Sequence, residues 1–262
     1  MNRIGLYVSG LFLSVIWMTS CMKGSNVSEG IACGVVGTSS KNYSIVLKTS
    51  WEDLYSTTIN STGLFEGDCC IFQYRYDADS PENSPSAIAA NGYYTISILN
   101  IDKVQKYYLS PVNNISTILP NEVPLMRGYD YGDFIENHLF ITHLVNQPSD
   151  MELNWTLSGD ESTMPTIDGD SRRYYDLYIR ATVKKEGDNV KTDKYYTIAY
   201  YMYNYLSAAA SKEKSLLGNS YSASSSNFTL RFNYVSALDE ETNTITWQSD
   251  SQDVPIAYFL LE

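Results

Sequence analysis

The chain is 262 residues long and carries 30 Asp and Glu against 18 Lys and Arg, a formal net charge of −12. That length holds one large domain or two smaller ones. The acidity argues against nucleic acid as a partner, because phosphate binding needs clustered Lys and Arg, and against docking on anionic lipid through a basic face. Tyrosine, at 23 copies, stands out; its apolar ring with a polar tip suits strands and interfaces.

Residues 1–21 read MNRIGLYVSGLFLSVIWMTSC. Arg3 gives the positive start, and the apolar run Ile4–Met18 is 15 residues long, short of the ~20 that cross a bilayer as a helix. The run has no Ala-x-Ala cleavage site. It ends in Met18-Thr19-Ser20-Cys21, which resembles a bacterial lipobox. The pattern implies a signal peptide over 1–20, acyl chains (palmitate among them) on Cys21, and a tether over 21–30. Two or more chains anchor stably, so the lipid makes the membrane a partner. Met22 stands where an Asp would hold a lipoprotein at the inner membrane, so the outer membrane is expected. The stretch Met22–Asn26 lacks an acidic cluster, which favours the periplasmic side over the cell surface.

Three cysteines remain. Cys33 falls in the first candidate strand, and Cys69 and Cys70 open a later one. Strand neighbours face opposite ways, so only one of the pair can share a face with Cys33. In an oxidising compartment a disulfide from Cys33 to Cys69 or Cys70 is one reading; three small buried hydrophobes are the other. No Cys-x-x-Cys and no neighbouring His suggest zinc.

Strand signals then follow in chain order. Ile31–Thr38 and Asn42–Lys48 are the first two. Gly67–Asp77 places Cys70, Phe72, Tyr74 and Tyr76 on one face. Residues 78–92 read as a loop, and Gly92–Val104 and Gln105–Leu109 complete a group of about five strands. This spacing suits a small barrel over 31–115. Pro111, Pro120 and Pro124 mark a linker at 110–124, with the domain boundary near 115.

Beyond it the period-two pattern is clearer. Met151, Leu153, Trp155 and Leu157 alternate with polar residues, as do Tyr175 to Val183 and Phe228 to Tyr234. Leu139–Val145, Tyr195–Tyr203, Thr244–Trp247 and Ala257–Leu261 add strands. One apolar and one wet face per strand predict antiparallel sheets packed as an immunoglobulin-like β-sandwich over 116–262. Leu206–Leu217 is the one short helix. The expected class is all-β.

A lipobox, an OB-type barrel and a β-sandwich in that order resemble the NigD-like lipoproteins of Bacteroidota. The likeness rests on three segments: a turn with Gly67-Asp68 leading into Cys69–Phe72, the closing strand Tyr94–Val104, and Asn137–Thr142 opening the second domain. The resemblance implies a cell-envelope role without an established enzymatic activity.

No catalytic constellation emerges, and neither a metal nor a cofactor is expected. His138 and His143 are the two histidines, five apart on one strand and so on opposite faces; His143 reads as a core residue. Asp168-Gly169-Asp170-Ser171, with Asp160-Glu161 in the same loop, has some likeness to a calcium loop but lacks the ligand spacing and terminal Glu. Asn-x-Ser/Thr sequons such as Asn42 and Asn227 follow from composition. Six tyrosines fall within residues 195–205, so both strand faces carry rings. Tyr200, Tyr201 and Tyr203 are therefore candidate ligand contacts, as a stacking platform for a glycan or an anchor for an envelope protein. The plainer alternative buries that strand, with the 206–217 helix over its second face. Three roles compete: a non-catalytic binding or structural lipoprotein, a glycan-binding surface lipoprotein, and a fimbrial or adhesin-type subunit, which would leave a groove for a donor strand.

Overall fold

The computed structural model describes residues 26–160, 165–169 and 171–260. The signal peptide, Cys21, tether residues 22–25, Glu161 and Asp170 lie outside the described residues; the expected tether is cut short at Asn26, because residues 27–30 already pair in a strand. The chain forms two compact units. One ends at Gln105 and takes in Asp133–Glu136; the other comprises Lys106–Gly132 and the chain from Asn137 onward.

The first unit has five strands, β1 (Val27–Thr38), β2 (Ile45–Lys48), β3 (Asp53–Tyr55), β4 (Cys69–Asp77) and β5 (Tyr94–Lys103), with the short helix α1 (Pro85–Asn91) before the last. They close into a barrel in the order β1-β2-β3-β5-β4, with β3 parallel to β5. The departure from chain order at β3-β5-β4 is the Greek-key crossover of an OB barrel. Closure pairs β1 with β4 along nine positions, Val27↔Asp77 to Val35↔Cys69, so the barrel has no free edge. Val36, Leu47, Leu54, Ile59, Cys70, Phe72 and Ile96 fill it. The inward isoleucines of β5 are spaced Ile96, Ile98, then Ile101. An irregularity at Gln73/Tyr74 on β4, opposite the extra β5 residue, keeps Ile101 on the inside. The Pro- and Ser-rich loop expected at 78–92 contains α1. Ser84 Oγ accepts from the Ala87 amide, Pro85 opens the helix, and Gly92 closes it with φ 74°.

The second unit holds β6 (Lys106–Tyr108), β7 (Glu122–Val123), β8 (Arg127–Ile135, whose end from Asp133 belongs to the first unit), β9 (His138–Pro148), β10 (Glu152–Gly159), β11 (Thr166–Ile167), β12 (Arg173–Lys185), β13 (Lys191–Tyr201), helix α2 (Tyr203–Leu217), β14 (Asn227–Asp239) and β15 (Thr244–Pro255). One sheet runs β10-β12-β14-β15, with β7 and β11 also on β12; the other runs β6-β13-β9-β8. Trp155 of β10 stacks on His143 of β9 with ring centroids 4.4 Å apart, so the inner faces of the two sheets meet. Leu157, Leu177, Ile179, Leu230 and Phe232 contribute to that core.

The all-β reading holds, but the strand Arg127–Ile135 was not expected, and other details differ. The barrel's fifth strand is Asp53–Tyr55, too short to show a period; Lys106–Tyr108 instead pairs with β13, which moves the boundary from 115 to 105. Two ladders of the sandwich, β12/β14 and β6/β13, run parallel, a direction that alternation cannot reveal. Ile256–Tyr258 is a 3-10 turn where a terminal strand was expected. The second α-helix is α1.

Candidate functional site

At one end of the barrel the inward face changes character. Along β4 it runs Cys70, Phe72, Tyr74, Tyr76; the first two are buried and the last two are partly open. Ser28 of β1 lies directly opposite Tyr76, and Tyr94 opens β5 beside Leu54 of β3. These residues, with Ile96 and with Trp51 and Glu52 from the β2–β3 turn, line a cavity of about 380 Å³ at the barrel mouth.

Local chemistry holds each wall. Thr49 pins the turn: its hydroxyl donates to the Glu52 carbonyl at 2.6 Å and accepts from the Glu52 amide at 3.1 Å. Ser50 donates to Asp133 at 2.7 Å. The turn thereby carries Trp51, 48% exposed, to the rim. Gly30 of β1 pairs with Tyr74, and a Cβ there would lie 2.9 Å from the Tyr74 hydroxyl. The bare glycine makes the space this ring occupies. Phe72 and Tyr74 sit 5.8 Å apart at 46°, Tyr76 and Tyr94 5.9 Å apart at 72°, and Trp51 and Tyr94 6.3 Å apart at 51°. Burial raises the pKa of Tyr74; for Tyr76 burial is joined by the nearby Tyr94 and Asp77. The Tyr74 and Tyr76 phenols therefore stay neutral donors and acceptors at physiological pH. Among the described residues, none of the Tyr74, Tyr76 and Tyr94 hydroxyls has a hydrogen-bond partner.

The tyrosines expected to bind behave differently. Tyr200 is completely buried and cannot offer a ring to a ligand. Its hydroxyl lies 3.1 Å from His143 Nε2, while His143 Nδ1 lies 2.5 Å from the Gly128 carbonyl. A carbonyl only accepts, so Nδ1 carries the proton and Tyr200 donates to Nε2. Burial holds His143 near pKa 4, and so neutral. Tyr201 and Tyr203 are half-buried; Tyr201 packs edge-on against His138. Helix α2 meets β14 and, through the Glu213 carboxylate, Arg173 and Tyr175 of β12. Asp168 of the calcium-like loop bonds Arg231, and among the described residues no three of His, Cys, Asp and Glu gather to hold a metal. Cys69 takes the face of Cys33, yet the three cysteines are buried free thiols.

Residues 24–102 match the family model of the lipoprotein OB domain. That family belongs to lipoproteins, membrane-associated proteins of the envelope. No curated protein matches the chain. Among solved structures, an uncharacterized protein from Parabacteroides merdae ATCC 43184 is 22% identical, with a TM-score of 0.73 over 87% of this chain and 99% of that one. A lipoprotein candidate of Bacteroides fragilis NCTC 9343 is 13% identical, with a TM-score of 0.50 over 87% and 98%. A NigD-like immunity protein from Bacteroides caccae ATCC 43185 is 10% identical, with a TM-score of 0.42 over 87% and 94%. At 22% and 13% identity, the Parabacteroides merdae and Bacteroides fragilis structures speak to the fold alone. Among the described residues no helix is long and apolar enough to cross a membrane.

The mouth was only half legible. Tyr74 and Tyr76 were on the right face, but Trp51 and Glu52 fall between the strand signals. An inward face that passes from Phe to Tyr marks where a core reaches water, and that was the available clue.

Proposed function

We propose that this chain is a non-catalytic binding lipoprotein of the cell envelope, anchored through lipid on Cys21, whose OB unit holds a small ligand at the barrel mouth. The observation that carries the reading is the cluster of Trp51, Tyr74, Tyr76 and Tyr94 around an open cavity, with hydroxyls not committed elsewhere. Buried rings stabilise a core; rings left half open at the end of one are a common means of recognition. OB barrels lend their faces and loops to ligands, and the match to a lipoprotein domain supports the envelope address. The outer membrane, periplasmic side, remains the proposed location, from Met22 and the absence of an early acidic cluster.

Two measurements test it. Cys21→Ala should block acylation and move the protein from the membrane to the soluble fraction; unchanged membrane association would defeat the anchor. Proton NMR of the purified full chain against simple sugars, amino acids, nucleosides and alkylammonium ions should show at least one class broadened, and Trp51→Ala should abolish the effect. Silence from every class would defeat the binding role.

A further inference from the structure

The mouth's shape and charge narrow what it can hold. A saccharide stacks its flat C–H face on one exposed ring, or on rings that share a plane. Here the rings meet at 51° and 72°, as adjoining walls. Walls of aromatic π-faces present negative electrostatic potential toward a shared interior, which suits a compact cation approached from several sides.

The charges agree with this. Every Lys and Arg on the barrel strands is already bonded to a carboxylate: Lys48 to Asp53 at 2.7 Å, Arg75 to Glu29 at 2.6 Å, and Lys103 to Asp68 at 2.7 Å. Arg75 lies on the outward face of β4, between inward Tyr74 and Tyr76. No basic residue lines the cavity. Glu52 does line it, and among the described residues it has no cation partner. The cation–ring contacts seen elsewhere, such as Arg231 on Tyr174 at 4.8 Å and Lys194 on Tyr196 at 4.7 Å, all lie in the second unit. Four aromatic side chains, one uncompensated carboxylate and a chain of net charge −12 complement a positive guest and repel a phosphate or carboxylate.

We infer that the barrel mouth is an aromatic box for a small organic cation of the alkylammonium class, with Trp51, Tyr74, Tyr76 and Tyr94 as walls and Glu52 as counter-ion. The inference rests on the proposed binding role and adds the ligand's class.

Choline serves as the probe and 3,3-dimethylbutanol, its uncharged isostere, as the control, both titrated against the purified full chain in nonionic detergent. The choline methyl protons should shift upfield, because ring currents shield a group held among aromatic faces. The isostere should bind about tenfold or more weakly, since it keeps the shape and loses the charge. Trp51→Ala should abolish the shift. Glu52→Gln, a change at an exposed turn, should weaken choline several-fold and leave the isostere unaffected. Equal binding of choline and isostere would overturn the cation and leave an apolar site. A response to methyl β-glucoside without one to choline would overturn it in favour of a glycan, with the binding role intact. Choline binding that survives Trp51→Ala would place the cation elsewhere. No response to choline would sink the box, and the binding role would fall with it only if the amino acids, nucleosides and sugars were silent too.

Discussion

Arg180 carries its charge where water hardly reaches. Its side chain is 3% exposed and that of Glu122 is fully buried, and the two are joined by a bidentate pair. The guanidinium also donates to the Asn114 and Thr117 carbonyls at 2.8 and 2.7 Å, tying down the proline-rich segment before β7. Removing one partner of a buried pair strands the other charge. Arg180→Leu should therefore cost about 3–5 kcal/mol, read from the urea midpoint. Arg180→Lys should recover little, because an ammonium cannot satisfy a carboxylate and two divergent carbonyls from one plane. In the sequence Arg180 sat among the polar positions of an alternating strand and read as a wet face. Alternation tells which side a residue takes, and is silent on whether a loop later covers that side. The same blindness explains Tyr200: its face was legible, its burial was not.

At the scale of elements, the mouth depends on strand register more than on any one contact. Gly30 and Tyr74 are direct partners across β1 and β4, and the space above the glycine holds the ring. Gly30→Ala should leave the barrel folded, since a tyrosine tip can swing aside, while weakening any ligand of the mouth several-fold. A circular-dichroism melt within a few degrees of the parent, with weaker binding by NMR, is the expected pair of results. Gly128 shows the harder case. A Cβ there would lie 2.3 Å from Tyr234, at the base of its ring, where nothing can swing away. Neither glycine's purpose is legible in sequence, because each serves a partner more than forty residues off. Most of the long strands were legible from alternation, but Arg127–Ile135, with glycines and aspartates between its tyrosines, was not. Those of two or three residues, Asp53–Tyr55 and Glu122–Val123 among them, exist only because longer neighbours offer them a ladder.

For the whole molecule the two histidines set a pH dependence. His143 and His138 are each lowered to about 4, His143 by burial and His138 by burial and the charge of Lys106. Unfolded, both would titrate near 6.5. Between those values the unfolded chain binds protons that the folded chain refuses, so stability is complete above about pH 6.5 and falls as the pH drops toward 4. The fully buried His143 alone accounts for about 3 kcal/mol over that window. Urea midpoints taken from pH 7 to pH 4.5 should fall steadily; a flat profile would mean that neither imidazole is held neutral.

The cysteines have a consequence for how the folded protein meets redox chemistry. Burial pushes the Cys33 and Cys70 thiols to about 12, so hardly any thiolate exists to begin an exchange reaction. Within the folded barrel these two thiols are therefore shut out of disulfide shuffling, whatever the redox poise around them.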